Sequence, residues 1–498
     1  MRFLPSSLSD RTVAVPFAAI VLAMLPAVLD QTILATALPT VASDLGTLSD
    51  VSWVVTAYVV AAAATTPLWG KLGDRHGRKR LLEIALSIFV VASAVCGLAQ
   101  DITTLVVVRA IQGTAAGGLM TLAMAAVGDL VSPRERGRYQ GYIAATFAIA
   151  TVAGPLIGGV LVDHASWRWV FYVNLPIGLL ALAGLSLRLP APETKRPDHP
   201  LDALGAALLA GATSALMLVC VWGGDRYAWT SPEILGLAGA TLAMSVALVV
   251  RERHAAEPIV PLHLLRTRTV ATASAALFLA TAALFSITVF VPLFLQTTTG
   301  ASPTEAGLLL IPAMLGITVS TTLSGRSIAR TGRYKRFPVA GLALMTVALL
   351  ILAGLAGRAS QAWTGAGLAL FGLGFGMVTQ VLVVAVQNHV ERRELGVATA
   401  TTGFFRALGG AAGAAVLGAV FAAHAGARAS ESGQALGPAL RADVIDGVQA
   451  VFTVAAPLAG LALLVVLFLP EAPLKTREEQ RTAEPPPRQA ARVAEVAR

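Results

Sequence analysis

The chain has 498 residues, 56% of them hydrophobic and 13% charged, about half the charged fraction of ordinary soluble domains. That balance excludes a string of cytosolic domains. The net charge of +9 comes from basic residues that lie mostly in the breaks between apolar blocks, so it points to a lipid bilayer as partner and not to nucleic acid.

The apolar blocks run to about 20 residues, the length of helix that crosses a bilayer. In chain order they predict spans at 13–39, 51–69, 81–99, 103–128, 139–162, 168–189, 201–222, 232–250, 270–296, 303–324, 337–357, 361–387, 396–424 and 448–470. The expected fold class is therefore an all-α polytopic membrane protein with 14 spans. Runs such as 341–356 and 456–469 lack the alternation a β-barrel requires. The first block exceeds a signal-peptide core and reads as a retained helix, although Ala35-Thr36-Ala37 resembles a cleavage site. Cys96 and Cys220 fall in different blocks and read as packing residues, with no disulfide framework or metal cluster expected.

With the N-terminus inside, the inner segments hold 30 of the 37 Lys and Arg, which places both termini in the cytoplasm. Arg outnumbers Lys 32 to five, a bias that points to a GC-rich bacterial genome and an inner-membrane location. Residues 471–498, rich in Pro, Glu and Arg, read as a disordered cytoplasmic tail.

Asp30 is the one carboxylate deep inside a span. An ionisable group there costs roughly 2.5–3.5 kcal/mol on insertion scales and is functional by default. It lies about 13 Å from the outer end of its span, at ~1.5 Å per residue, and Arg109 lies about 9 Å into span four. Comparable depth permits pairing without establishing it, and a structural hydrogen bond is the plainer alternative for Asp30. Gln112, a helical turn beyond Arg109, extends the candidate polar network. Gly154-Pro155 and Gly158-Gly159 strip side chains from one face of span five, which favours close helix packing.

An internal repeat organises the chain. Gly70-Lys71-Leu72-Gly73-Asp74-Arg75-His76-Gly77-Arg78 returns in outline as Gly325-Arg326-Ser327-Ile328-Ala329-Arg330-Thr331-Gly332-Arg333, and Arg134-Glu135-Arg136-Gly137 as Arg393-Glu394-Leu395-Gly396, at offsets of 255 and 259. Spans one to six then match nine to fourteen. The expected domains are a six-helix bundle over 1–200, two inserted helices over 201–250, a second six-helix bundle over 251–470 and the tail. Two related halves around a midplane site are an alternating-access architecture.

The ionisable chemistry is concentrated in the first half: Asp74 maps to Ala329, Asp30 near Ala283 and Arg109 near Gly367. The second half offers Phe285, Phe290, Phe294, Gln296, Phe375, Gln380, Phe405 and Arg406 as candidate lining for a cavity that takes bulky apolar substrates. Packing is the commoner fate of such aromatics, and Arg406 either lines the cavity or snorkels to the inner surface. No phosphate-binding Gly-rich loop and no nucleophile–base constellation occurs in the sequence, so neither ATP hydrolysis nor another enzyme activity is expected.

The 70–80 segment, together with Leu29-Asp30-Gln31-Thr32-Ile33, Arg109-Ala110-Ile111-Gln112-Gly113 and Gly154-Pro155-Leu156-Ile157-Gly158-Gly159, resembles the signatures of the major facilitator superfamily and of its 14-span drug:proton antiporter branch. The resemblance covers nearly the whole chain outside the tail. It implies a proton relay at Asp30, Arg109 and Gln112, a cytoplasmic latch at Gly70, Gly73, Asp74, Arg75, Gly77 and Arg78, and a gate-sealing antiporter motif at Gly154, Pro155, Gly158 and Gly159. The implied activity is proton-coupled export of amphipathic small molecules, driven by the proton gradient with no cofactor and no metal. An exporter of a lipid or endogenous metabolite and a non-transporting receptor or scaffold remain alternatives. The oligomeric state stays open, a monomer included.

Overall fold

A computed structural model describes residues 8–45, 48–190, 201–224, 226–255, 257–299, 308–355, 361–391, 394–425, 438–472 and 474. These residues form helices α1 (Leu8–Leu45), α2 (Leu48–His76), α3 (Arg78–Gly97), α4 (Ile102–Leu130), α5 (Pro133–His164), α6 (Trp169–Tyr172), α7 (Asn174–Arg188), α8 (Ala203–Trp222) and α9 (Pro232–His254). They continue with α10 (Leu262–Arg266), α11 (Arg268–Thr299), α12 (Ile311–Thr331), α13 (Arg336–Leu355), α14 (Gln361–Gly376), α15 (Thr379–His389), α16 (Leu395–Ala425) and α17 (Pro438–Leu467). Apart from an isolated bridge between Gly223 and Tyr227, no strand pairing occurs among the described residues.

Among those residues, 13 helical segments are long and apolar enough to cross a membrane, α6–α7 and α14–α15 each counting as one. The remaining expected span, 303–324, overlaps α12, which is not among those 13, and residues 303–307 lie outside the described set. Thr318, Ser320, Thr321, Thr322, Ser324 and Arg326 make α12 more polar than its neighbours. The expected tail beyond residue 474 also lies outside the described residues.

Local chemistry sets several helix ends. Asp101 caps α4 by accepting the Thr104 N–H at 2.8 Å, and the Thr104 backbone and hydroxyl together hold its carboxyl below the usual range. Asp202 caps α8 through Gly205 N–H at 3.1 Å and also accepts from Arg251 of α9 at 3.0 Å, tying the inserted hairpin together. The 70–76 segment, read from sequence as a loop, is the last turns of α2. The helix breaks at Gly77, whose φ of 88° suits a residue without a Cβ, and the repeat partner Gly332 ends α12 with φ of 70°.

Each half has its own core. One runs through Ile20, Met24, Phe89, Leu122 and Leu185 of the first seven helices, the other through Leu277, Met345, Phe371, Val448 and Ala459. The halves meet where α5 packs on α12 and α2 packs on α16, and α8 of the inserted pair lies against α2 and α16. Large apolar side chains such as Val91, Ile149, Leu187, Leu242 and Phe468 are exposed, as expected of faces that meet lipid.

Candidate functional site

Three arrangements carry chemistry. The first is a sealed polar cluster inside the first half. Arg109 and Gln112 lie three residues apart on α4 and so share a face, turned toward Asp30 on α1. Asp30 and Arg109 are each 1% exposed. Arg109 donates to one carboxylate oxygen of Asp30, and the other accepts from Gln112 at 3.2 Å and from Asn174 at 3.1 Å. Arg109 also donates to Gln112 Oε1 at 2.6 Å and to the Val54 carbonyl at 3.2 Å, while Ser93 Oγ accepts from Gln112 at 2.7 Å. The guanidinium carbon sits 4.2 Å from the centroid of the buried Tyr58 ring. The charge of each ion is thus met by the other, as a buried pair requires.

The expected trio of Asp30, Arg109 and Gln112 is brought together. Ser93, Asn174 and Tyr58 complete the cluster and were not singled out by sequence, because one small polar or aromatic residue in an apolar span carries no distinctive signal. Cys96 packs on the same cluster, its sulfur 3.8 Å from Gln112 Oε1.

The second arrangement is a cavity of about 460 Å³ between the halves. The first half contributes Gln31, Tyr58, Met120, Met124 and Phe147, and the second contributes Phe375, Thr402 and Arg406. Tyr58, which is fully buried, thus lies against Arg109 and also belongs to the cavity wall. An adjoining space of about 190 Å³ is lined by Phe147, Phe375, Gln380 and Arg406 among others.

Several second-half expectations are corrected here. Phe290 is buried in the second-half core with its ring 5.3 Å from that of Phe421, and Phe285 and Phe294 pack against the same core. Phe405 points into a different pocket, between α16 and the inserted hairpin. Ring count alone cannot tell which face of an all-apolar helix a Phe occupies. Phe375, Gln380 and Arg406 do line the central spaces, whereas the side chain of Gln296 lies outside the described residues. The cavity is shared by both halves, contrary to a lining drawn from the second alone.

The third arrangement joins the halves at the basic end. The Asp74 carboxylate accepts the backbone N–H groups of Gly396 and Val397, both at 2.8 Å, at the start of α16, where the helix dipole favours an anion. Arg78 donates to Asp74 at 2.5 Å and also pairs with Asp129, which brings Asp129 into this cluster. Arg75 pairs with Glu257 at 3.0 Å. The close approach of α2 to α16 depends on Gly70, where a Cβ would come within 2.7 Å of the Gly396 carbonyl. Gly73 sits against Leu122.

Across the interface Arg134 donates to the carbonyls of Ala329 and Arg330 at 2.7 and 2.5 Å, at the end of α12 where a cation is favoured. Gly137 packs there against Gly325. The two sequence repeats thus meet crosswise: the first copy of the Gly-Asp-Arg segment contacts the second Arg-Glu-Leu-Gly copy, and the converse pair does the same. Arg136 adds a bond to the Gln387 carbonyl at 3.0 Å. At the opposite end the polar contact of Asp44 with Trp167 and Arg168 stays within the first half.

The span-five motif packs α5 on α1 inside the first half. Gly154 faces Thr32, Gly158 faces Thr36 and Ile33, and Pro155 is exposed. A Cβ at Gly159 would meet nothing within 4 Å, so that residue takes no part in the contact. Gly158→Val is expected to cost about 1–3 kcal/mol by overpacking and to lower the thermal midpoint of the detergent-solubilised protein, while Gly159→Ala leaves it unchanged. Equal midpoints for the two variants would contradict the packing role.

The family model described as Major Facilitator Superfamily matches residues 20–414, and the chain belongs to that superfamily, a family of transporters and not of enzymes. An uncharacterized MFS-type transporter of Mycobacterium tuberculosis is 41% identical over 407 residues, covering 81% of this chain and 59% of the relative. The multidrug transporter protein MdtP of Bacillus subtilis is 35% identical over 82% of this chain and 75% of its own length. In three dimensions the proton:xylose symporter XylE superposes with a TM-score of 0.67 at 16% identity, over 95% of this chain and 99% of that one.

Proposed function

We propose that the protein exports amphipathic small molecules in exchange for protons, as a member of the 14-span drug:proton antiporter branch. The observation that carries this reading is the Asp30 carboxylate, held by Gln112, Asn174 and Arg109, with Arg109 stacked on Tyr58 of the cavity wall. A proton on Asp30 dissolves its ion pair and leaves Arg109 with Gln112 Oε1, the Val54 carbonyl and the Tyr58 ring as partners. Because Tyr58 also lines the cavity, the state of the pair reaches the substrate space. Protonation and substrate binding then favour opposite conformations, which is the thermodynamic content of exchange.

The basic end is closed by Asp74 and Arg134, and alternation requires both contacts to open. The positive-inside asymmetry supports placing this end and both termini in the cytoplasm of a bacterial plasma membrane. Export of several drugs is supported by the mostly apolar cavity and by the name of the Bacillus relative.

Reconstituted protein, screened with amphipaths of each charge type in vesicles carrying a pH-sensitive dye, is expected to move protons only when a substrate is added. Absence of substrate-dependent proton movement across that screen would favour a receptor or scaffold instead.

A further inference from the structure

Among the described residues each buried guanidinium has an acceptor: Arg109 has Asp30 inside the first half, and at the basic end Arg78 has Asp74 and Asp129 and Arg136 has two backbone carbonyls, whereas Arg406 is half-buried. It sits near the middle of α16, about 16 Å from that helix's start at ~1.5 Å per residue, and its side chain lines both the larger and the smaller central space. It is therefore a cavity residue and does not snorkel to the surface. No hydrogen bond, ion pair or aromatic face serves its guanidinium among the described residues, and neither space has an Asp or Glu in its lining. Asp30, the deep carboxylate of the first half, is already paired with Arg109.

A guanidinium that has lost part of its hydration and gained no partner is costly, and the five donors of its planar fork match a carboxylate or sulfonate. The same positive charge raises the energy of a cation in the cavity, where low polarity weakens screening. Around it Phe147, Phe375, Met120 and Met124 offer aromatic and polarisable surface to an apolar body.

We infer that Arg406 is the anion receptor of the central cavity, and that the preferred substrates are amphipathic organic anions with a carboxylate or sulfonate head on an aromatic or apolar body. This deepens the transport reading and rests on it, since the receptor is assigned to the same cavity. It also has an electrical consequence. If one proton enters as one monoanion leaves, two positive charge equivalents move inward per cycle, whereas exchange of a proton for a monocation moves none. Anion export is therefore driven by an interior-negative potential even without a pH gradient.

The test uses two dyes on one xanthene skeleton, the anion fluorescein and the cation rhodamine 123, with the purified full-length protein. Equilibrium binding by fluorescence polarisation is expected to favour fluorescein at least tenfold. Arg406→Gln should lose that preference, Arg406→Lys should keep much of it, and Arg406→Glu should invert it, with melting curves confirming that each variant is folded. In vesicles, a potassium-diffusion potential is expected to drive fluorescein export and to leave rhodamine 123 export unchanged. Wild-type binding that favours rhodamine 123, or an Arg406→Gln variant that binds fluorescein as the wild type does, overturns the inference. The wild-type dye comparison needs no variant, so it decides the matter even if the substitutions impair folding. Selective fluorescein binding without any transport would leave the receptor standing and sink the exchange mechanism, which separates the two failures.

Discussion

Asp30→Asn is expected to reduce uphill, proton-driven efflux on the order of 100-fold or more while leaving substrate binding and downhill exchange measurable, because the one deep carboxylate is the proposed proton carrier. The substitution also has a structural cost that the cluster's geometry defines. An amide can still accept from Arg109, but its NH2 group must then face the donor groups of Gln112 and Asn174, which now meet a carboxylate oxygen at 3.2 and 3.1 Å. Arg109 loses its counter-charge, and breaking a buried pair in this way costs about 3–5 kcal/mol. A lowered melting temperature is therefore part of the expected result. The decisive readout is the split between modes: vesicles containing the variant should exchange substrate down its gradient yet fail to accumulate it when a pH gradient is imposed. Undiminished uphill transport would remove Asp30 from the coupling step, and equal loss of both modes would make its role structural.

Asp30 and Arg109 stood out because charge is scarce in the chain, and a charged side chain at that depth has few fates. Gln112 follows from its place one helical turn beyond Arg109 and from the resemblance carried by residues 109–113. Their direct contact was a matter of helix rotation and crossing, which apolar blocks of nearly uniform hydrophobicity do not encode. Asn174 and Tyr58 stayed hidden for the same reason. The repeat was plain in sequence, but its crosswise docking was not: glycines at 70, 137, 325 and 396 fix where backbones approach, and only the packing of α2 on α16 and α5 on α12 pairs them. Aromatic positions were the least legible. Phe375 and Phe290 belong to the same second-half core, yet only Phe375 also lines the central cavity, a difference that ring count along mostly apolar helices does not encode.

The basic-end latch gives the other large effect. Asp74 accepts two backbone N–H groups at the α16 N-terminus and holds Arg78 as well. Charge-assisted hydrogen bonds of this kind contribute roughly 1.5–3 kcal/mol each before compensation by water, and the helix end adds about 0.3–1 kcal/mol. Asp74→Asn keeps one acceptor and loses the charge, so the closed basic end should weaken by about 2–3 kcal/mol, a shift of roughly 30- to 140-fold in the opening equilibrium at ~1.4 kcal/mol per factor of ten. Spin labels at Arg80, in the first turn of α3, and at Arg333, just beyond α12, should then report a new population at longer distance. Asp129→Asn, which removes a partner of Arg78 but none of the bonds to α16, should change the distribution far less. The repeat relation sharpens the expectation further. The second latch is held by Arg134 on the carbonyls of Ala329 and Arg330 and needs no carboxylate at the position equivalent to Asp74. It therefore survives Asp74→Asn, and adding Arg134→Ala should enlarge the long-distance population beyond that of the single variant. An unchanged distance distribution in that double variant would show that apolar packing between α2 and α16 and between α5 and α12 holds the end closed by itself.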